Sequence, residues 1–163
     1  MRIVSTVLLV LVATRAWAGL DLDETVFSEP SLGVRLPIPE GWRASTQTGY
    51  PGLLLLLQAT GYRSRIMVGG SYLTPGKTLP QFIVENASGL RALGMTVTHL
   101  QPTSQQGRSV WEVTAQAGRD VGIRQLIFAQ GHRVITLTLA GPTQELPHLQ
   151  AELQQVLASL AIL

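Results

Sequence analysis

The chain has 163 residues, no cysteine, and twelve basic residues against ten acidic ones. Without cysteine, neither a disulfide staple nor a lipid-modified cysteine anchor is available, so stability must come from packing. Eleven of the basic residues are arginines scattered along the chain, not the clustered stripe that a nucleic-acid partner requires.

The first eighteen residues read as an export signal. Arg2 gives a positive start, Ile3 to Ala13 is apolar apart from Ser5 and Thr6, and Ala16-Trp17-Ala18 supplies the small-x-small cleavage pattern. The apolar run falls short of the roughly 20 residues that a membrane span needs, and Arg15 interrupts it. An uncleaved N-terminal anchor is the alternative. Cleavage before Gly19 would remove Arg2 and Arg15 and leave ten basic against ten acidic residues, a net charge of zero. The mature chain of 145 residues (163 minus 18) is expected to form one domain. It is expected to be exported, periplasmic or secreted, and not an integral membrane protein once cleaved.

Residues 19–32 form an acidic lead-in carrying Asp21, Asp23, Glu24 and Glu29, with a short strand around Thr25 to Ser28. The domain proper is expected over 33–163. Val34, Leu36 and Ile38 alternate as in a strand, while Pro37 and Pro39 confine it to a sheet edge or place its end there. Pro39-Glu40-Gly41 is a turn before Trp42, which restarts an extended segment over the core. Five consecutive leucines, Leu53 to Leu57, predict a strand buried on both faces. Tyr62-Arg63-Ser64-Arg65 is a polar tip, and Ile66 to Tyr72 returns as the next strand. Gly69-Gly70 inside it predicts a bulge or a close backbone approach.

Thr78 is an N-cap for a helix running from Leu79 to about Leu93. Leu79, Phe82, Ile83, Ala87, Leu90 and Leu93 form its apolar stripe, and Gly94 ends it. Met95 to Gln101 reads as a strand and Pro102 to Arg108 as a loop. Ser109 to Ala140 then gives three β-rich runs broken at glycines, the pattern of an antiparallel meander. A last helix from about Thr143 to Leu160 carries a stripe of Leu146, Leu149, Leu153, Val156, Leu157 and Leu160. His148, Glu152, Gln155 and Ser159 are expected to face water.

The extended run ending in Ile38-Pro39-Glu40-Gly41-Trp42, this order of elements and the close at Ser159-Leu160-Ala161-Ile162 resemble the PsbP/Mog-like superfamily. That group includes the PsbP subunit of photosystem II, a eukaryotic Ran-binding import factor and the bacterial periplasmic DcrB-like proteins; the DcrB-like branch is the suspected one. The resemblance implies an α+β fold: an antiparallel sheet of about six to seven strands covered by amphipathic helices in an α/β/α sandwich. It implies no shared activity, because its members bind unrelated partners.

Candidate chemistry is sparse. His148 and Glu152 stand four apart, but two ligands do not make a metal site, and His99 and His132 have no sequence partner. Gly69-Gly70-Ser71 lacks the nucleophile-elbow pattern. Glu112 is the one strand acid to watch, and its alternation with Val110 and Thr114 predicts exposure. No phosphate-cradling glycine loop occurs. Neither a metal nor a cofactor is expected. Tyr62, Arg63 and Arg65 place an aromatic and two guanidiniums on one turn, residue types enriched at binding hot spots, and Arg119 occupies another turn. These four residues are the candidate binding set. The reading is a non-enzymatic accessory or binding protein of the bacterial cell envelope, its partner an envelope protein or a small ligand. The alternatives are a small envelope hydrolase and a structural subunit of an envelope complex.

Overall fold

Runs of β-branched and leucine residues, cut by glycines that can turn the chain, build most of the molecule. The computed structural model describes residues 25–46 and 52–163. The export signal over 1–18, the acids Asp21, Asp23 and Glu24, and Tyr50-Pro51 lie outside the described residues. In chain order the strands before the first helix are β1 (Val26–Glu29), β2 (Val34–Pro37), β3 (Trp42–Ser45), β4 (Leu53–Ala59) and β5 (Arg65–Tyr72). Helix α1 (Leu79–Ala92) leads to β6 (Thr96–Gln105), β7 (Arg108–Ala117), β8 (Val121–Gln130) and β9 (Arg133–Pro142). A 3-10 turn (Leu146–Leu149), helix α2 (Gln150–Ser159) and β10 (Ala161–Ile162) complete the chain.

Seven strands form an antiparallel sheet in the order β3-β4-β5-β9-β8-β7-β6, and β1-β2-β10 form a smaller one. This is the expected α+β architecture. Helix α1 carries the chain from the middle of the large sheet to its edge at β6, packing over β6, β7 and β8. Alternation along the strands divides the apolar side chains between two layers. Leu56, Met67, Ile83, Leu90, Val113, Ile123 and Ile127 fill the layer beneath α1. Leu55, Leu57, Leu126, Leu137, Leu139, Leu153, Val156 and Leu157 fill the layer beneath α2, which also takes Phe27, Val34 and Leu36 from the small sheet.

Helix α1 has the anticipated ends. The Thr78 hydroxyl accepts from the Gln81 N–H while the Gln81 side chain accepts from the Thr78 N–H, a capping box. At the other end Gly94, at φ +82°, donates to Arg91 O and Met95 donates to Leu90 O, closing a Schellman motif.

The structure decides four expectations. First, of the two placements expected for the prolines, a sheet edge or the strand's end, it takes the second: Pro37 ends β2, which is the middle strand of the small sheet, flanked by β1 and β10. Second, Pro102 to Gln105 belongs to β6, not to a loop. Gln106-Gly107 makes a two-residue hairpin whose closing pair is Gln105 and Arg108. Counting back, Pro102 falls at a position whose missing N–H would have faced outward, so the ladder loses nothing. Third, the irregularity predicted at Gly69-Gly70 is in the partner strand, where the β4 register shifts between Leu53 and Leu55. The close approach is real: a Cβ on Gly70 would stand 2.4 Å from a Leu32 methyl. Fourth, Glu112 is not exposed. Its side chain is 15% accessible and pairs with Arg124 at 2.9 Å, because the long guanidinium on the neighbouring strand covers it.

Candidate functional site

The registers place several turns at one end of the large sheet. Arg65 sits opposite Ala140, Ala140 opposite Ile123, and Ile123 opposite Ala115. The β4–β5 turn, the β7–β8 turn and the segment leaving β9 therefore emerge together. At this end Glu145, just past β9, reaches back to the β4–β5 turn. Its Oε2 accepts from the Arg63 N–H at 3.0 Å, the Ser64 N–H at 2.9 Å and the Ser64 hydroxyl at 2.7 Å. Its Oε1 lies 3.8 Å from the Arg63 Nε.

Burial alone would raise the Glu145 pKa. The hydrogen bonds from the Ser64 hydroxyl, the Ser64 N–H and the Arg63 N–H, with the Arg63 charge, outweigh it and hold the carboxyl below its ordinary value. The contact demands a glycine on the approaching strand. A Cβ on Gly141 would lie 2.6 Å from the Ser64 Cα, so only a bare backbone lets the turn seat.

The candidate residues divide accordingly. Tyr62 is half-buried against the layer beneath α2, and Arg63 is held at the backbone while its side chain stays 77% exposed. Ser64, expected at a polar tip, is fully buried. Arg65 opens β5 and faces the opposite side of the sheet from its neighbour Ile66, with burial lowering its pKa. Arg119 is exposed on the β7–β8 turn, tied to the segment after β9 through the Thr143 N–H to Asp120 O bond of 2.9 Å. The structure thus brings Tyr62, Arg63 and Arg119 to one end and turns Arg65 to the other face.

Several polar side chains elsewhere pair with one another. Gln105 bridges Glu112 and Gln154, and beneath α1 the Asn86 amide donates to Gln125, which donates to Thr138. Glu152 is half-buried, with one carboxylate oxygen shielded and without a hydrogen-bond partner, contrary to the water-facing position expected of it. Among the described residues no group of three or more His, Cys, Asp or Glu could hold a metal, and no helix is long and apolar enough to cross a membrane. A shallow groove of about 480 Å³ opens at the far end between Arg108, Phe128, Ala129, Gln130, Ala161 and Ile162. Its one cation is engaged: Arg108 stacks 5.1 Å from the Phe128 ring centre and donates to Leu160 O.

Glu145 and Gly141 are the residues that sequence reasoning missed. Glu145 lies 81 positions from Ser64, and no local pattern links them.

No family model matches the chain, and no curated protein matches it. Solved structures do. Cyanobacterial PsbP (CyanoP) from Synechocystis superposes with a TM-score of 0.63 at 13% identity, over 90% of this chain and 98% of that one. LpqN of Mycobacterium tuberculosis, described as involved in cell envelope biogenesis, gives 0.57 at 18% identity over 81% and 85%. A point mutant of Mog1 gives 0.54 at 11% over 84% and 94%. At these identities the likeness is one of fold.

Proposed function

Starting from a PsbP/Mog-like fold with an anchored arginine turn, we propose that this chain is an exported, non-enzymatic accessory or binding protein of the bacterial cell envelope. It engages a protein partner through the sheet end that carries Tyr62, Arg63 and Arg119. The observation behind this reading is the use made of Glu145. A single carboxylate fixes two backbone N–H groups and a hydroxyl of the β4–β5 turn, yet leaves the Arg63 guanidinium out in solvent. A turn held in place before its partner arrives loses less conformational entropy on binding. Arginine and tyrosine are the residue types from which interface anchors are drawn. The export pattern over 1–18 supports the envelope location.

The test is capture of partners from solubilised envelope of the host, with this protein as bait, by cross-linking and mass spectrometry. One stoichiometric protein partner is expected. It should be lost when Tyr62 and Arg63 become alanine, weakened by Arg119→Ala, and kept by His132→Ala, which changes an exposed residue at the far end. No partner, or one retained equally by all these variants, would overturn the reading.

A further inference from the structure

Strand β10 pairs with β2 along one edge only. Ala161 and Ile162 sit opposite Arg35 and Val34, and the Leu163 N–H donates to Gly33 O at 2.8 Å. Hydrogen-bonded and non-hydrogen-bonded positions alternate along an antiparallel ladder. The Leu160 and Ile162 carbonyls and the Ile162 N–H therefore point away from β2. On that side the Arg108 guanidinium meets Leu160 O. The shallow groove at the far end is lined by Ala161 and Ile162, with Arg108 and Ser109 of β7 and Phe128, Ala129 and Gln130 of β8 across from them. No described residue of β1 or β2 lines it, so the groove runs along the free edge of β10.

Arg108 is half-buried and held in place twice, by the Phe128 ring 5.1 Å from its centre of charge and by Leu160 O. A guanidinium has five N–H donors, and stacking uses its flat face, so these contacts leave most of its donor edge for a further partner. No described acid supplies one: ion pairs join Arg63 to Glu145, Lys77 to Glu85 and Arg124 to Glu112, and none includes Arg108. A partly buried charge is screened less than an exposed one, so an anion reaching it there is attracted more strongly.

We infer that this groove takes an extended peptide as a fourth strand of the small sheet, with a carboxylate of that peptide on Arg108. The peptide residue opposite Ile162 accepts from the Ile162 N–H and donates to the Ile162 carbonyl, the paired bonds of an antiparallel ladder. Two residues further along, roughly 7 Å, the peptide stands beside Leu160, where Arg108 lies. A carboxylate matches the two parallel donors of one guanidinium fork. Phe128 and Ala129 give the intervening side chains an apolar surface. The carboxylate can be the peptide's own C-terminus or an acidic side chain at that position. The groove lies at the opposite end of the large sheet from Tyr62, Arg63 and Arg119, so this inference goes beyond the partner reading and either can fail alone.

The test is an amide NMR titration of the protein with an acetylated hexapeptide of alternating threonine and valine that ends in a free carboxylate. Saturable shifts are expected at Ile162, Phe128 and Arg108. The same peptide with a C-terminal amide should bind about tenfold more weakly or worse, as the loss of a charge-assisted pair implies. Methylating the backbone nitrogen of its third residue from the end removes the donor to the Ile162 carbonyl and should weaken binding about fivefold. Both changes leave the protein, and so its fold, untouched. Arg108→Gln should lose as much affinity as the amide peptide, while Arg35→Gln, on the exposed face of the small sheet, should lose none. An amide peptide whose last residue is aspartate assigns an acidic side chain if it restores binding, and the chain terminus if it does not. Equal affinity of the acid and amide peptides, or of wild type and Arg108→Gln, would overturn the carboxylate site. Equal affinity of the methylated peptide would overturn the strand pairing.

Discussion

The turn carrying Arg63 and the turn carrying Arg119 leave the same end of the sheet, yet they are held by different means. At the first, a buried serine, two backbone N–H groups and an arginine converge on Glu145, and Gly141 clears the space for them. At the second, Gly118-Arg119-Asp120 closes a hairpin between Ala117 and Val121, with one backbone tie from Thr143. Both present an exposed arginine, but only Arg63 stands on a turn fixed by a side chain from a distant element. Arginines at the tips of turns are thus not equivalent, and what distinguishes them is the carboxylate beneath one of them.

The most severe way to break this contrast is Gly141→Ala. The added methyl meets Ser64 backbone, which cannot yield as a flexible side-chain tip would. About 2–3 kcal/mol of destabilisation is expected from urea unfolding, typical of overpacking against backbone. Next is Glu145→Ala, which leaves the Ser64 hydroxyl and N–H buried without an acceptor and should cost about 1–3 kcal/mol.

Glu145→Gln refines the point, because it removes the charge and keeps an acceptor. The folded state depresses the Glu145 pKa, so the stability it contributes is present above the unfolded value and is lost as pH falls through the folded one. Wild type should therefore exceed Glu145→Gln in stability at neutral pH, and the gap should close in acid below the ordinary carboxylate range. A gap that persists unchanged in acid would show that the carboxylate charge is irrelevant. Arg63→Ala should cost no more than about 1 kcal/mol, since its ion pair is long and largely in solvent. Arg119→Ala should stay within about 0.5 kcal/mol, as for a surface residue without partners. An Arg119 effect as large as that of Glu145 would erase the distinction between the turns.

Much of the frame was legible from local pattern. The meander from Ser109 to Ala140, the α1 stripe and its Thr78 and Gly94 ends each rest on residues within one element or turn, where spacing carries the information. What stayed hidden depends on contacts distant in sequence. The pairing of β2 with β10 involves a strand of two residues, too short for any periodicity. The last residues of β6 were masked by Pro102, which reads as a breaker unless its outward position on an edge is known. Glu112 alternates as a solvent-facing residue would, and only the adjacent strand brings Arg124 over it. For the candidate site, composition pointed to Tyr62, Arg63, Arg65 and Arg119 as residue types. It could not show that Arg65 faces away from Tyr62, nor that Glu145 and Gly141 hold the turn.

Residue-resolved amide hydrogen exchange of the wild type and Glu145→Gln tests the clamp most directly. Arg63 and Ser64 should exchange slowly in the wild type and markedly faster in the variant, while Gly118 and Arg119 exchange quickly in both. Arg63 and Ser64 exchanging as fast as Arg119 in the wild type would contradict the account.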